Sequence, residues 1–291
     1  MALPSAFRLL SNLSTIQRKK FRNYLESTFF YNRKELLPVL KTLLGHKKQA
    51  PQRDELFDAA YPGKSYNKRD WYLLVSRMQE ATEAFLSLRV FQDDEFLQKL
   101  SVLRAFRRLQ NPDFFERSMK QARKLRNKRQ RYESTMLLWD YQLELEYYDY
   151  IASPKRKERT NLQAVTDHLD HFFIAEKLRQ ACLASSRYIA NGETYEIRYL
   201  DAILDDLEAR PELFRVPAIV VYASCYQAVV AGKTEADFQR LRQVIDLYRS
   251  GFPNREIRDI YLLAINFGIR AMNNGKVGFV AQTLALYKES L

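Results

Sequence analysis

The sequence predicts an all-α protein built from stacked antiparallel helix pairs, and three observations predict it. Glycine and proline are scarce, at 8 and 9 of 291 residues. Sheet-rich folds need more turn residues than that. The prolines fall between long stretches whose apolar residues recur at three- and four-residue steps, as helices joined by short turns require. Glycine-closed apolar segments also recur in the C-terminal half, at Gly192, Gly232 and Gly275, spaced 40 and 43 residues apart. An apolar content of 46% with 28% charged residues suits a globular chain with a sizeable core.

In chain order, STIQRKKFRNYLES predicts a first helix with Ser14 as its cap and Ile16, Phe21 and Leu25 as its apolar side. NRKELLPVLKTLL and QRDELFDAAYP predict two more, the second stopped by Pro62. Residues 67 to 92 predict a long helix, because Trp71, Leu74, Val75, Met78, Phe85 and Leu88 make one continuous stripe. Asn67, with Asp70 three residues on, has the form of a capping box. Further helices are expected at 94 to 109, 112 to 126, 132 to 152, 161 to 191, 197 to 209, 216 to 231, 234 to 249, 254 to 273 and 276 to 290. SPKRKERT at 153 to 160 reads as a solvated loop. These divisions suggest an N-terminal helical region at 1–92, connecting helices at 93–152 and repeats at 161–291.

Each C-terminal unit reads as a helix, a glycine turn and a second helix, with Pro211 and Pro253 closing the first two. Such a pair cannot bury its faces alone and must stack on the next. Gly268 and Gly275 stand seven apart, with Phe267 and Ala271 between or beside them. In this the last unit resembles a degenerate tetratricopeptide repeat, although Val280 stands where that pattern has alanine and the period is longer. DELFDAAYPGKSYNKRDWYLLVSRMQEATEAFL, with FFYNRKELLPVL before it and FFIAEKLRQAC at 172 to 182, is similar to a group of uncharacterised bacterial helical-repeat proteins. That resemblance implies an α-solenoid and no particular biochemical role. The helix, turn and long helix ahead of repeats also resemble the winged-helix half of some bacterial transcriptional activators. RVFQDDEF offers no β-hairpin after the long helix, however, and Arg77, Glu80 and Glu83 give its outer face mixed charge.

Several chemistries are excluded. Gly63-Lys64-Ser65 ends like a phosphate-binding loop, but Asp58 occupies the first glycine position, Pro62 removes an amide donor, and a helix precedes it where a strand is needed. His168 and His171 lie one helical turn apart beside Asp167 and Asp170, yet no further Cys or His completes a zinc set. Cys182 is eleven residues from His171 on one helix, about 16 Å along its axis, so the two cannot form a catalytic couple. Asp205 and Asp206 read as solvated charge. No catalytic set, metal site or cofactor is expected, and the chain reads as non-enzymatic. Two cysteines inside helical patterns imply no disulfide framework. No run approaches the roughly 18 apolar residues of a membrane helix, and the expected location is the cytoplasm.

The remaining feature is charge. The net charge is +12, and eleven Lys or Arg lie between Arg104 and Arg131 against only Asp113 and Glu116. On a helix over 114–131, Arg117, Lys120, Lys124, Lys128 and Arg131 fall within about 80° of one another, opposite Phe115, Met119 and Ala122. Arg126 and Arg129 then turn toward the core, so the helix is expected to end near Leu125. This ridge is the candidate site for a polyanion or partner. The function expected is a scaffold for macromolecular interaction, with another protein as partner and nucleic acid as the alternative. The last helix closes at LALYKESL with no polar capping unit after it, which suggests a homo-oligomer or further helical repeats beyond residue 291.

Overall fold

Helical periodicity in the sequence is matched by helices throughout the computed structural model, which describes residues 4–27, 29, 33–46, 51–129, 131–152, 160–231, 234–276 and 278–290. Among the described residues no strand occurs. The chain divides into two units, Met1–Gln98 and Lys99–Leu291.

The first unit comprises α1 (Ser5–Ser11), α2 (Thr15–Glu26), α3 (Leu36–Gly45), α4 (Arg53–Ala60), α5 (Lys68–Asp93) and the start of α6 (Glu95–Arg108). Ser14 caps α2 as its sequence requires: its hydroxyl accepts from the Gln17 amide, and the Gln17 side chain accepts from the Ser14 amide at 2.9 Å. The buried side of α2 is Phe21, Tyr24 and Leu25, and Ile16 is exposed. Nine residues separate Ile16 from Leu25, which at 100° per residue sets them on opposite faces. The Asn67 side chain caps α5 by accepting from the Asp70 amide at 2.8 Å, while Asp70 answers the Asn67 side chain instead of its backbone. Trp71, Leu74, Met78 and Phe85 of the long stripe are buried, and Val75 and Leu88 are partly so. The ring of Phe21 meets Phe85 at 5.1 Å and that of Phe7 meets Trp71 at 5.8 Å. α1 has no counterpart in the sequence reading. At seven residues with no side-chain cap it is too short to form by propensity, and burial of Phe7 and Leu10 holds it.

The second unit takes the rest of α6, then α7 (Pro112–Lys128), α8 (Ser134–Ile151), α9 (Leu162–Asn191), α10 (Leu200–Ala209), α11 (Pro217–Tyr226), α12 (Glu235–Tyr248), α13 (Asn254–Asn273) and α14 (Phe279–Glu289). A 3-10 turn, Pro211–Arg215, precedes α11, and a π-helical segment, Gln227–Ala231, continues it. α7 and α8 run antiparallel, as their side-chain partners show: Arg126 meets Asp140, Arg123 meets Glu144, and Phe115 stacks on Tyr150 at 3.9 Å. α8 and α9 are antiparallel too, with Asn161 bonded to Glu144 and Ser134 to Glu176. α13 and α14 approach so closely that a Cβ on Gly268 would lie 2.1 Å from the Thr283 hydroxyl oxygen. The core of this unit gathers Leu178, Ile219, Tyr222, Phe238, Leu241, Ala264 and Leu286.

The glycine turns at Gly192 and Gly275 adopt the left-handed conformation that only glycine takes without strain, at φ 76° and 83°. Gly232 and the 153–159 loop lie outside the described residues. The first glycine turn is longer than expected. After Gly192 the chain runs without helix to a turn at Arg198 and Tyr199, and α10 starts at Leu200 instead of 197. No helix among the described residues is long and apolar enough to cross a membrane. Val280, Leu284 and Tyr287 form an exposed apolar stripe along α14.

Candidate functional site

The candidate ridge is positioned by α7, which begins where its sequence says it should. Asn111 caps it through the Phe114 amide, and Pro112 occupies the first turn, where its missing N–H costs nothing. Phe115, Met119 and Ala122, together with Ser118, are buried. Arg117, Lys120, Lys124 and Lys128 are all exposed on the opposite side. Successive lysines at four-residue steps are about 6 Å apart along the axis. None of these four cations forms an ion pair with a carboxylate among the described residues.

The other cations of the stretch have a different task. Arg126 makes a bidentate contact with Asp140 at 2.7 and 2.8 Å, and Arg123 reaches Glu144 at 3.0 Å. Arg104 and Arg107 converge on Glu146, which is buried, at 2.6 and 3.0 Å, and Arg107 also reaches Asp149. A planar guanidinium fork suits paired carboxylate oxygens in a way that a lysine ammonium does not. The stretch is therefore divided: Arg104, Arg107, Arg123 and Arg126 hold α6 and α7 to the acidic side of α8, while all three lysines face solvent together with Arg117.

Two expectations are corrected here. The helix does not end near Leu125; it runs to Lys128, because Asp140 neutralises the core-side Arg126 that was expected to force its end. Arg131 does not extend the helical ridge. It lies past the end of α7, and its guanidinium sits 3.7 Å from the Glu133 carboxylate. The acid spacing Asp140, Glu144 on α8, matched to Arg123, Arg126 on α7, is the signal in the sequence that would have revealed the pairing.

The other residues singled out by the sequence take the following places. Gly63, at φ 73°, forms a turn in which the Lys64 amide donates to the Tyr61 carbonyl and the Lys64 ammonium pairs with Asp70. The rings of His168 and His171 are 6.1 Å apart, and burial, then the neighbouring His168, pushes the His171 pKa down. Among the described residues no group of three His, Cys, Asp or Glu side chains is placed to hold a metal ion. Cys182 and Cys225 are both buried free thiols, and the hydrogen bond that the protonated Cys182 thiol makes to Cys225, then burial, drives the Cys182 pKa well up. Asp206 is paired with Arg210.

One acidic group is out of balance. Glu256, in the first turn of α13, has its pKa pushed up to about 7 by burial, opposed by Arg179 and reinforced by Glu133, Glu176 and Asp259. Glu176 already holds the Arg179 guanidinium through two bonds at 2.7 and 2.8 Å. A carboxyl raised above its ordinary value contributes stability in full below about pH 4.5 and loses it as pH rises through about 7. Glu256→Gln is expected to leave stability nearly unchanged at pH 4 and to raise it at pH 8.5 by about 1–2 kcal/mol after solvent screening. Urea unfolding at the two pH values measures this, and an equal effect at both would contradict it. Comparison with protein-family models, curated proteins and solved structures finds no match to the chain.

Proposed function

We propose that this chain is a non-enzymatic helical scaffold that docks an acidic stretch of another protein on the outward face of α7. One observation carries the reading: Arg117, Lys120, Lys124 and Lys128 are presented together on a well-anchored helix, while the cations on its other side are neutralised by α8. Unpaired charge of one sign on a rigid element steers and orients an oppositely charged partner. Arg131, next along the chain, is still half exposed and adds to the same positive field. In this reading the helix pairs of the second unit stack in the manner of tetratricopeptide-like solenoids, and the apolar stripe Val280, Leu284 and Tyr287 receives a second chain or further repeats. Nucleic acid is the alternative occupant of the ridge.

The test is reversal of the three lysines together, Lys120→Glu, Lys124→Glu and Lys128→Glu, followed by titration with polyglutamate and with duplex DNA. Binding of polyglutamate is expected to weaken roughly 10- to 100-fold, on the order of 0.5–1 kcal/mol per reversed charge. Thermal stability should not fall, since none of the three side chains is buried. Tighter binding of DNA than of polyglutamate, with affinity falling steeply with salt, would favour the alternative. Binding of both probes that is indifferent to the reversal would remove the ridge from consideration.

A further inference from the structure

The second unit contains a cleft of about 640 Å³ between the C-terminal half of α9, the non-helical 193–199 segment, the π-helical turn after α11 and the C-terminal half of α13. That volume lies within the range of small-molecule sites. Its floor is aliphatic, with Ala181, Ala184, Val229 and Ala271. Its walls carry four aromatic rings: Tyr188, Tyr195, Tyr226 and Phe267. Two cations, Arg270 and Lys276, stand on the same lining, both exposed.

The local structure explains why these groups converge. Gly192 ends α9 in the left-handed conformation, and the chain then runs without helix, which brings Tyr195 beside Tyr188 as cleft lining. The π-helical turn adds a residue to the helical circuit, so that Tyr226, Val229 and Val230 all reach the cleft. Phe267 is fixed from behind by Phe238 and Phe279, at ring distances of 6.1 and 5.8 Å. Gly275, also left-handed, turns the chain so that Lys276 follows Arg270 onto the same rim.

Charge decides what the cleft would accept. Glu193 is the acidic member of the lining, and its carboxylate is already bonded by the Tyr195 hydroxyl at 2.5 Å, which, with Asn191, holds its pKa low. Arg270 and Lys276 have no carboxylate partner among the described residues, and the Arg270 guanidinium lies 5.9 Å from the centre of the Tyr188 ring. A flat apolar body in the cleft would be bordered by aromatic rings, and an acidic group at its edge would meet two cations that have no carboxylate partner among the described residues. We infer that this cleft binds a small organic anion with a flat aromatic body and one acidic group, a site distinct from the α7 ridge and independent of the scaffold reading.

The probe is 1-anilinonaphthalene-8-sulfonate, titrated by fluorescence into the full chain beside its uncharged relative N-phenyl-1-naphthylamine. One saturable site per chain is expected for the sulfonate. Arg270→Glu with Lys276→Glu should weaken the sulfonate about tenfold or more and leave the uncharged amine nearly unaffected. Tyr188→Ala should weaken both, and because Tyr188 is half exposed it tests the aromatic wall without emptying the core. Circular dichroism melts that match the parent chain exclude a folding defect. The absence of saturable binding, or a sulfonate affinity unmoved by the double charge reversal, would overturn the inference.

Discussion

Phe238→Ala is expected to destabilise the second unit by about 3–5 kcal/mol, the cost of deleting a fully buried aromatic ring from a core that cannot collapse around the gap. Phe238 is wholly buried on α12, with the ring of Phe279 edge-on at 5.5 Å and that of Phe267 at 6.1 Å. It is therefore the point where α12, α13 and α14 are tied together. The chain has two tryptophans, Trp71 in the first unit and Trp139 in the second. In a Trp71→Phe background, fluorescence during urea unfolding reports the second unit alone. Phe238→Leu should cost much less, since most of the volume returns. A loss below about 1 kcal/mol for the alanine variant would mean that the three rings do not form a cooperative core.

Gly251→Ala is the second large effect, and it depends on space instead of dihedral angles. Gly251 is buried in the turn between α12 and α13, and its carbonyl accepts a hydrogen bond of 2.8 Å from the Tyr132 amide. A Cβ there would lie 2.1 and 2.4 Å from two carbons of the Tyr132 ring. That ring is also set edge-on against Tyr248 and Phe252, at 5.8 and 6.2 Å, so it cannot swing aside freely. Overpacking together with loss of the amide bond predicts about 2–4 kcal/mol of destabilisation. In a Tyr132→Ala background the same substitution should cost little, because the obstructing atoms are gone. Costs that simply add in the double variant would show that the ring contact is not the cause.

These contacts also show where the sequence was legible. α5 was readable because its stripe and its Asn67 cap are both local, and the ridge of α7 because a four-residue lysine spacing fixes a face whatever packs behind it. Ile16 misled, since its hydrophobicity said nothing of its angular position relative to Phe21 and Leu25. α1 carries no local signal, because its seven residues gain their order from the burial of Phe7, against distant Trp71, and of Leu10. The end of α7 is hidden from local sequence for a similar reason: Arg126 is tolerable on the core side only because Asp140, fourteen residues on, pairs with it. The cleft could not be seen at all. Its walls come from segments scattered between residues 181 and 276 and are assembled by a π-helical turn that has no sequence pattern of its own.

The division of labour between arginine and lysine around α7 has a chemical consequence. Amine-directed modification, such as acetylation, acts on Lys120, Lys124 and Lys128 and is blind to guanidinium groups. The side chains that anchor the helix, Arg104, Arg107, Arg123 and Arg126, would keep their carboxylate partners throughout. The lysine share of the outward charge can thus be removed stepwise, like a dial turned down to the single charge of Arg117, while the architecture beneath it is left intact.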